Sequence, residues 1–146
     1  MKKLIMVGLL AAAMPMLHAE DTTQEKDFKS RFESVVNSGD INQVTNIWVA
    51  SPRPSPMMLS DFASLEFCYW RGVKSVKFEE VFPVIQDSIK KGVSIDGVRF
   101  VPNLEPYKMF TVEYAKSMTN ELSGFSILTG FKDGKIMITG YKVSEK

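Results

Sequence analysis

Tyr69, Trp70 and Arg71 place an aromatic pair beside a guanidinium, a combination that can stack on a flat ligand or grip a carboxylate. With Tyr114 and Tyr141 they form the candidate ligand-binding set; the competing reading makes Tyr69 and Trp70 packing residues and Arg71 a surface cation. Acid–base chemistry falls to carboxylates and phenols, because the chain's single histidine, His18, lies in a leader expected to be removed. Without histidine there is no Ser-His-Asp or Cys-His relay and no imidazole for a metal. Glu113 with Tyr114 or Tyr141 would supply a carboxylate base and a phenol donating to a developing oxyanion. Neighbouring strand residues face opposite sides, however, so Glu113 and Tyr114 share a cavity only across a bulge. With Phe110, Val112 and Tyr114 facing the core, Glu113 points to solvent. Tyr69 and Tyr107 are further phenols, and Asp61 and Glu66 are carboxylates near a proline-rich loop.

Cys68 is the lone cysteine and sits between aromatic neighbours in Leu65-Glu66-Phe67-Cys68-Tyr69-Trp70, which reads as a buried structural thiol. No intramolecular disulfide can form, so the fold must rest on burial. No Walker-type loop and no GxGxxG occurs, so no nucleotide cradle is recognisable. No cofactor is expected, and catalytic and metal assignments stay empty.

The leader itself is Met1-Lys2-Lys3, an apolar stretch from Leu4 to Met14, and Ala19 before Glu20-Asp21. A charged start, a short apolar middle and a small residue before a polar segment describe a signal peptide over residues 1–19. The apolar stretch falls short of the roughly 20 residues that span a bilayer as a helix, so no membrane span is expected. The product is then secreted or periplasmic. Residues 20–146 remain as a single domain, an ordinary size for one core. Losing Lys2 and Lys3 from 18 basic residues leaves 16 against 17 acidic ones, a net charge of −1. That balance gives no electrostatic footprint for nucleic acid.

The elements that must position these residues follow from periodicity. Glu20 to Lys26 reads as a frayed lead-in, and Phe28, Phe32, Val35 and Val36 predict a helix from Asp27 that stops at Ser38-Gly39. Asp40 can cap a second helix through Ile41, Val44, Ile47 and Trp48. Prolines 52, 54 and 56 break the chain into a loop. Met57 to Gly72 reads as a short helix passing into extended chain. Phe78, Val81, Phe82, Ile85 and Ile89 predict a helix from Ser75 to Gly92, with Pro83 marking a kink or a later start near Phe82. After Gly92 the period becomes two: strands are predicted at Val93 to Val101, Tyr107 to Met118, Leu122 to Phe131 and Ile136 to Val143, with an Asp133-Gly134 hairpin. Helices first and strands later predict an α+β domain with N-terminal helices packed on a four-stranded antiparallel meander.

This order of elements, closed by Phe131-Lys132-Asp133-Gly134-Lys135-Ile136, resembles the nuclear transport factor 2-like superfamily, also called SnoaL-like, over most of Asp27 to Val143. The resemblance implies a curved, cone-like sheet with a cystatin-like layout, wrapped around helices to enclose a cavity. Members include isomerases, cyclases, dehydratases and pure binding proteins, and the missing histidine departs from their His-dependent enzymes. The expected function is an exported ligand-binding or accessory domain, whose partners are a small apolar ligand and a second copy docked through the sheet. The alternative is a histidine-free isomerase or dehydratase with a buried carboxylate base.

Overall fold

The computed structural model describes residues 20–51, 55–118 and 122–145; the expected signal peptide over 1–19 and the expected proline loop at 52–54 lie outside them, as do 119–121 and 146. Helix α1, Thr23–Ser38, starts earlier than its apolar stripe suggests. The reason is a capping box: Thr22 Oγ1 accepts from the Glu25 N–H, and the Glu25 carboxylate accepts from the Thr22 N–H, each at 3.1 Å. Gly39 closes the helix at φ 65°, a conformation that favours glycine.

The expected second α-helix is a 3-10 helix, Ile41–Asn46, which runs into the two-residue strand β1, Trp48–Val49. Asn42, Thr45 and Asn46 explain the shortening, since their side chains bond locally and compete with an α-helical ladder. Helix α2, Pro56–Arg71, is continuous where a passage into extended chain was expected. Ser55 caps it, Pro56 occupies its first turn, and Met58, Phe62, Leu65 and Cys68 keep a helical period to its end.

The helix expected from Ser75 is corrected to strand β2, Val73–Glu79, followed by helix α3, Pro83–Lys91. Pro83 is tolerated only in a first turn, so helix cannot extend back through it. Val76 and Phe78 instead pair opposite Val112 and Phe110.

The sheet also differs from the expected four-stranded meander. Strands β3 (Val93–Ile95) and β4 (Val98–Pro102) form a hairpin about Asp96-Gly97. Then follow β5 (Pro106–Met118), β6 (Leu122–Lys132), β7 (Lys135–Thr139) and β8 (Tyr141–Val143). One sheet has five strands in the order β1-β7-β6-β5-β2, antiparallel except for β1 beside β7; the other has three, β3-β4-β8. The last predicted strand is divided between the two sheets at Gly140, where a Cβ would overlap the Val49 carbonyl.

The fold is α+β. Its core joins Phe28 and Phe32 of α1 and Leu65 and Cys68 of α2 to Phe110, Val112, Ile127, Ile136 and Ile138 of the large sheet. Among the described residues, no helix is long and apolar enough to cross a membrane.

Candidate functional site

Helix α1 buries Phe32 and leaves Lys29, Glu33, Val36 and Asn37 along the adjoining stripe, three and four residues apart. Opposite this stripe the chain leaves α2 through Cys68 and Tyr69 and enters β2 at Val73. Gly72, at φ 68°, makes that turn. The three segments bound an open cleft of about 660 Å³, a volume ordinary for small-molecule sites. Phe32, Val36, Cys68, Val73 and Val76 give it an apolar lining; Lys29, Glu33, Asn37, Tyr69, Lys74 and Ser75 surround it with polar groups.

Three of the polar groups are held in place. Lys29 Nζ pairs with Asp21 at 2.5 Å and Lys74 Nζ with Glu113 at 2.9 Å. Tyr69 donates its hydroxyl toward the Val35 and Asp40 carbonyls, 3.2 and 3.1 Å away, tying α2 to the end of α1. Burial, with Asp40 nearby, raises that phenol above its ordinary range. The Cys68 thiol is pushed up to about 12 by burial and donates to the Ser64 carbonyl, so it is an inert wall.

Of the five candidate residues, Tyr69 alone lines this cleft. Trp70 is 74% exposed. Arg71 is buried, not the surface cation of the alternative reading: its guanidinium lies 4.4 Å from the Tyr114 ring centroid and donates from Nε to the Lys116 carbonyl. Tyr114 donates to the Ser64 carbonyl at 2.9 Å, and burial pushes its phenol up to about 12. Arg71 and Tyr114 therefore brace α2 against β5. Tyr141 lies half-buried in β8. Glu113 faces outward, accepting from Lys74 Nζ and Ser75 Oγ; these bonds, that of Lys74 foremost, lower its carboxyl. It cannot serve as a base in a cavity on the other face.

Reading a helix from Ser75 hid Val76, Val73 fell outside every predicted element, and Phe32 and Val36 looked like plain core positions. The available signal was Val73, Val76 and Phe78 preceding a proline, which is shorter than any helix pattern needs.

A second arrangement involves Asp61 of α2 and Tyr141. Asp61 is half-buried and makes no hydrogen bond or ion pair among the described residues; burial raises its carboxyl to about 6, and its charge in turn raises the Tyr141 phenol. Phe62, next along the helix, lies 6.3 Å between ring centroids from Trp48, whose buried indole N–H has no acceptor among the described residues. The raised carboxyl fixes a sign for stability. Folding favours the protonated acid, so the contribution is fully present below pH about 4 and is lost as pH rises through about 6. Asp61→Asn is expected to stabilise the protein by about 1 to 2 kcal/mol above pH 7, the cost of ionising a carboxyl that water still partly screens. Urea titrations of the two proteins should coincide below pH 4; parallel curves from pH 4 to 8 would refute the burial of Asp61.

Among the described residues, no three His, Cys, Asp or Glu side chains group as a metal-holding set. Compared with protein-family models, curated proteins and solved structures, the chain matches none.

Proposed function

We propose that this chain is exported and acts as a small-ligand-binding domain of the nuclear transport factor 2-like kind, holding the apolar body of a small molecule between α1, α2 and β2. The observation that carries this reading is the cleft of about 660 Å³, with Phe32, Val36, Val73 and Val76 inside and polar groups around them. Such a site gains affinity from apolar surface removed from water and takes orientation from a few fixed polar groups. Tyr69, whose hydroxyl is already occupied, offers its ring as a wall. In the same reading the sheet curves about the helices, and the cleft is the mouth of the hollow between them.

The isomerase or dehydratase alternative narrows to Asp61 with Tyr141 beside it. The carboxyl raised to about 6 supports that pair over Glu113, which is held ionised by Lys74.

A thermal-shift titration with linear alcohols of eight to twelve carbons tests the cleft. At a hundred times the dissociation constant, a ligand adds about 2.7 kcal/mol, which raises the midpoint of a domain this size by several degrees. Val36→Lys, which puts a charge inside the cleft, should remove the shift while the protein stays folded. No shift with any alcohol, or an undiminished shift in Val36→Lys, would refute the proposal.

A further inference from the structure

Between the end of α3 and one face of the three-stranded sheet lies a second hollow, of about 470 Å³, which shares no lining residue with the cleft. Its floor follows from strand register. Val101 stands opposite Lys142, and Ser144 donates its N–H to the Arg99 carbonyl, so Arg99, Val101, Lys142 and Ser144 occupy one face of β4 and β8. On that face Arg99 and Lys142 are diagonal neighbours, a spacing across which two long side chains reach one point. Lys90, in the last turn of α3, adds a third cation from the side. Leu104 and Pro106 continue the apolar floor begun by Val101.

The charges in this hollow do not cancel. Glu105 is the one carboxylate among its lining residues, and Lys90 Nζ already meets it at 3.0 Å. Arg99 donates from Nε to the Lys91 carbonyl, which steadies the guanidinium at the helix end and leaves both Nη groups without a partner among the described residues. Lys142 has no hydrogen bond or ion pair among the described residues. The lysines of the cleft differ, since Lys29 and Lys74 are each joined to a carboxylate. Like charges gathered on one sheet face repel, and a hollow lined by one sign of charge concentrates counter-ions of the other. A guanidinium offers paired N–H donors to the edge of a phosphate or carboxylate, and an ammonium adds a point charge. Two uncompensated cations match a head group with nearly two negative charges, which a phosphate monoester carries at pH 7 and a single carboxylate does not.

We propose that this hollow binds a small phosphate monoester, its phosphate between Arg99 and Lys142 and its organic body against Val101, Leu104 and Pro106. The site goes beyond the cleft and does not rest on it.

Calorimetric titration of the purified protein with phenyl phosphate, benzoate and inorganic phosphate, at one fixed ionic strength, tests the assignment. Phenyl phosphate should bind at one site per chain, about tenfold or more tightly than benzoate, a second charge-assisted contact being worth about that factor. It should also bind more tightly than inorganic phosphate, which has no body to lay on the apolar floor. Arg99→Gln and Lys142→Gln should each weaken phenyl phosphate by about tenfold. Lys142 makes no bond within the described fold, so its replacement reads the site without disturbing the strands. Val36→Lys, which alters the cleft, should leave phenyl phosphate binding unchanged. Equal affinity for phenyl phosphate and benzoate, inorganic phosphate bound as tightly as the ester, or full affinity in Lys142→Gln would overturn the assignment. Loss of phenyl phosphate binding in Val36→Lys would put the ligand in the cleft and overturn it as well.

Discussion

Phe110→Ala will cost the domain about 3 to 5 kcal/mol, the range seen when a large buried aromatic is truncated. Phe110 is fully buried at the centre of β5, and three other rings converge on it. Phe28 and Phe32 of α1 each lie 4.9 Å from it edge-on, and Phe78 of β2 lies 5.2 Å away. Two terms add. The first is the lost transfer of a phenyl ring from water, and the second is a cavity whose walls belong to a helix and two strands that cannot all close inward together. Edge-to-face geometry adds about 0.5 to 1.5 kcal/mol per pair beyond area. Against a total stability of about 5 to 15 kcal/mol, such a loss leaves a marginal fold. In urea the midpoint should fall with little change in slope, since the surface exposed on unfolding is nearly the same. Phe32 also lines the cleft, so ligand affinity should weaken in the same variant. A loss below about 1 kcal/mol would mean that α1 is not packed on β5 as described.

Glu25→Ala should cost about 3 to 4 kcal/mol, close to the figure for removing one partner of a buried pair. The Glu25 carboxylate is nearly inaccessible, and it receives the Tyr107 hydroxyl and the Lys108 ammonium, both at 2.7 Å, besides the Thr22 N–H of its own capping box. Burial by itself would raise this carboxyl; the bonds from Lys108, Tyr107 and Thr22 outweigh it and the net shift is downward. Removing the side chain breaks the reciprocal half of the capping box, with Thr22 Oγ1 still accepting from the residue-25 N–H, and takes from a phenol and an ammonium their shared acceptor. Lys108 keeps a weaker contact with Glu80 at 3.3 Å, which holds the cost below the top of the range. Glu25→Gln keeps an acceptor without the charge and should lose about half as much. The depressed carboxyl gives a second readout: its stabilisation is present above the ordinary carboxylate range and disappears as pH falls through the lowered value, so wild type and Glu25→Ala should converge in acid. A variant as stable as wild type at pH 7 would contradict the arrangement.

The sequence made the α+β class legible, because helical spacing in Phe28, Phe32 and Val35 and alternation in Phe110, Val112 and Tyr114 survive intact in the structure. It also made legible the outward Glu113 and the buried Cys68. The second Asp-Gly turn, Asp96-Gly97, was equally readable: both residues have positive φ, 50 and 79°, as at Asp133-Gly134 with 51 and 75°. Reading one strand through it merged β3 with β4. Thr22 followed three residues later by Glu25 likewise spelled a capping box inside a stretch that looked frayed.

Other features had no local signature. Whether Val73 to Glu79 is helix or strand is decided by pairing with β5, thirty to forty-one residues away in the chain. Division of the last strand falls at Gly140, where a Cβ would overlap the Val49 carbonyl. Arg71 looked like a surface cation because burial of a guanidinium requires the Tyr114 ring and the Lys116 carbonyl, neither of which its own helix supplies. The cleft was missed for the same reason: its sides come from three segments that only the tertiary fold brings together.

The central claim is that a small apolar molecule binds between α1, α2 and β2. It is tested most directly by titrating isotope-labelled protein with decanol and following amide and methyl resonances. Saturable shifts should cluster at Phe32, Val36, Cys68, Val73 and Val76. Saturable shifts that leave those five residues unmoved, or no saturable shifts at all, would contradict it.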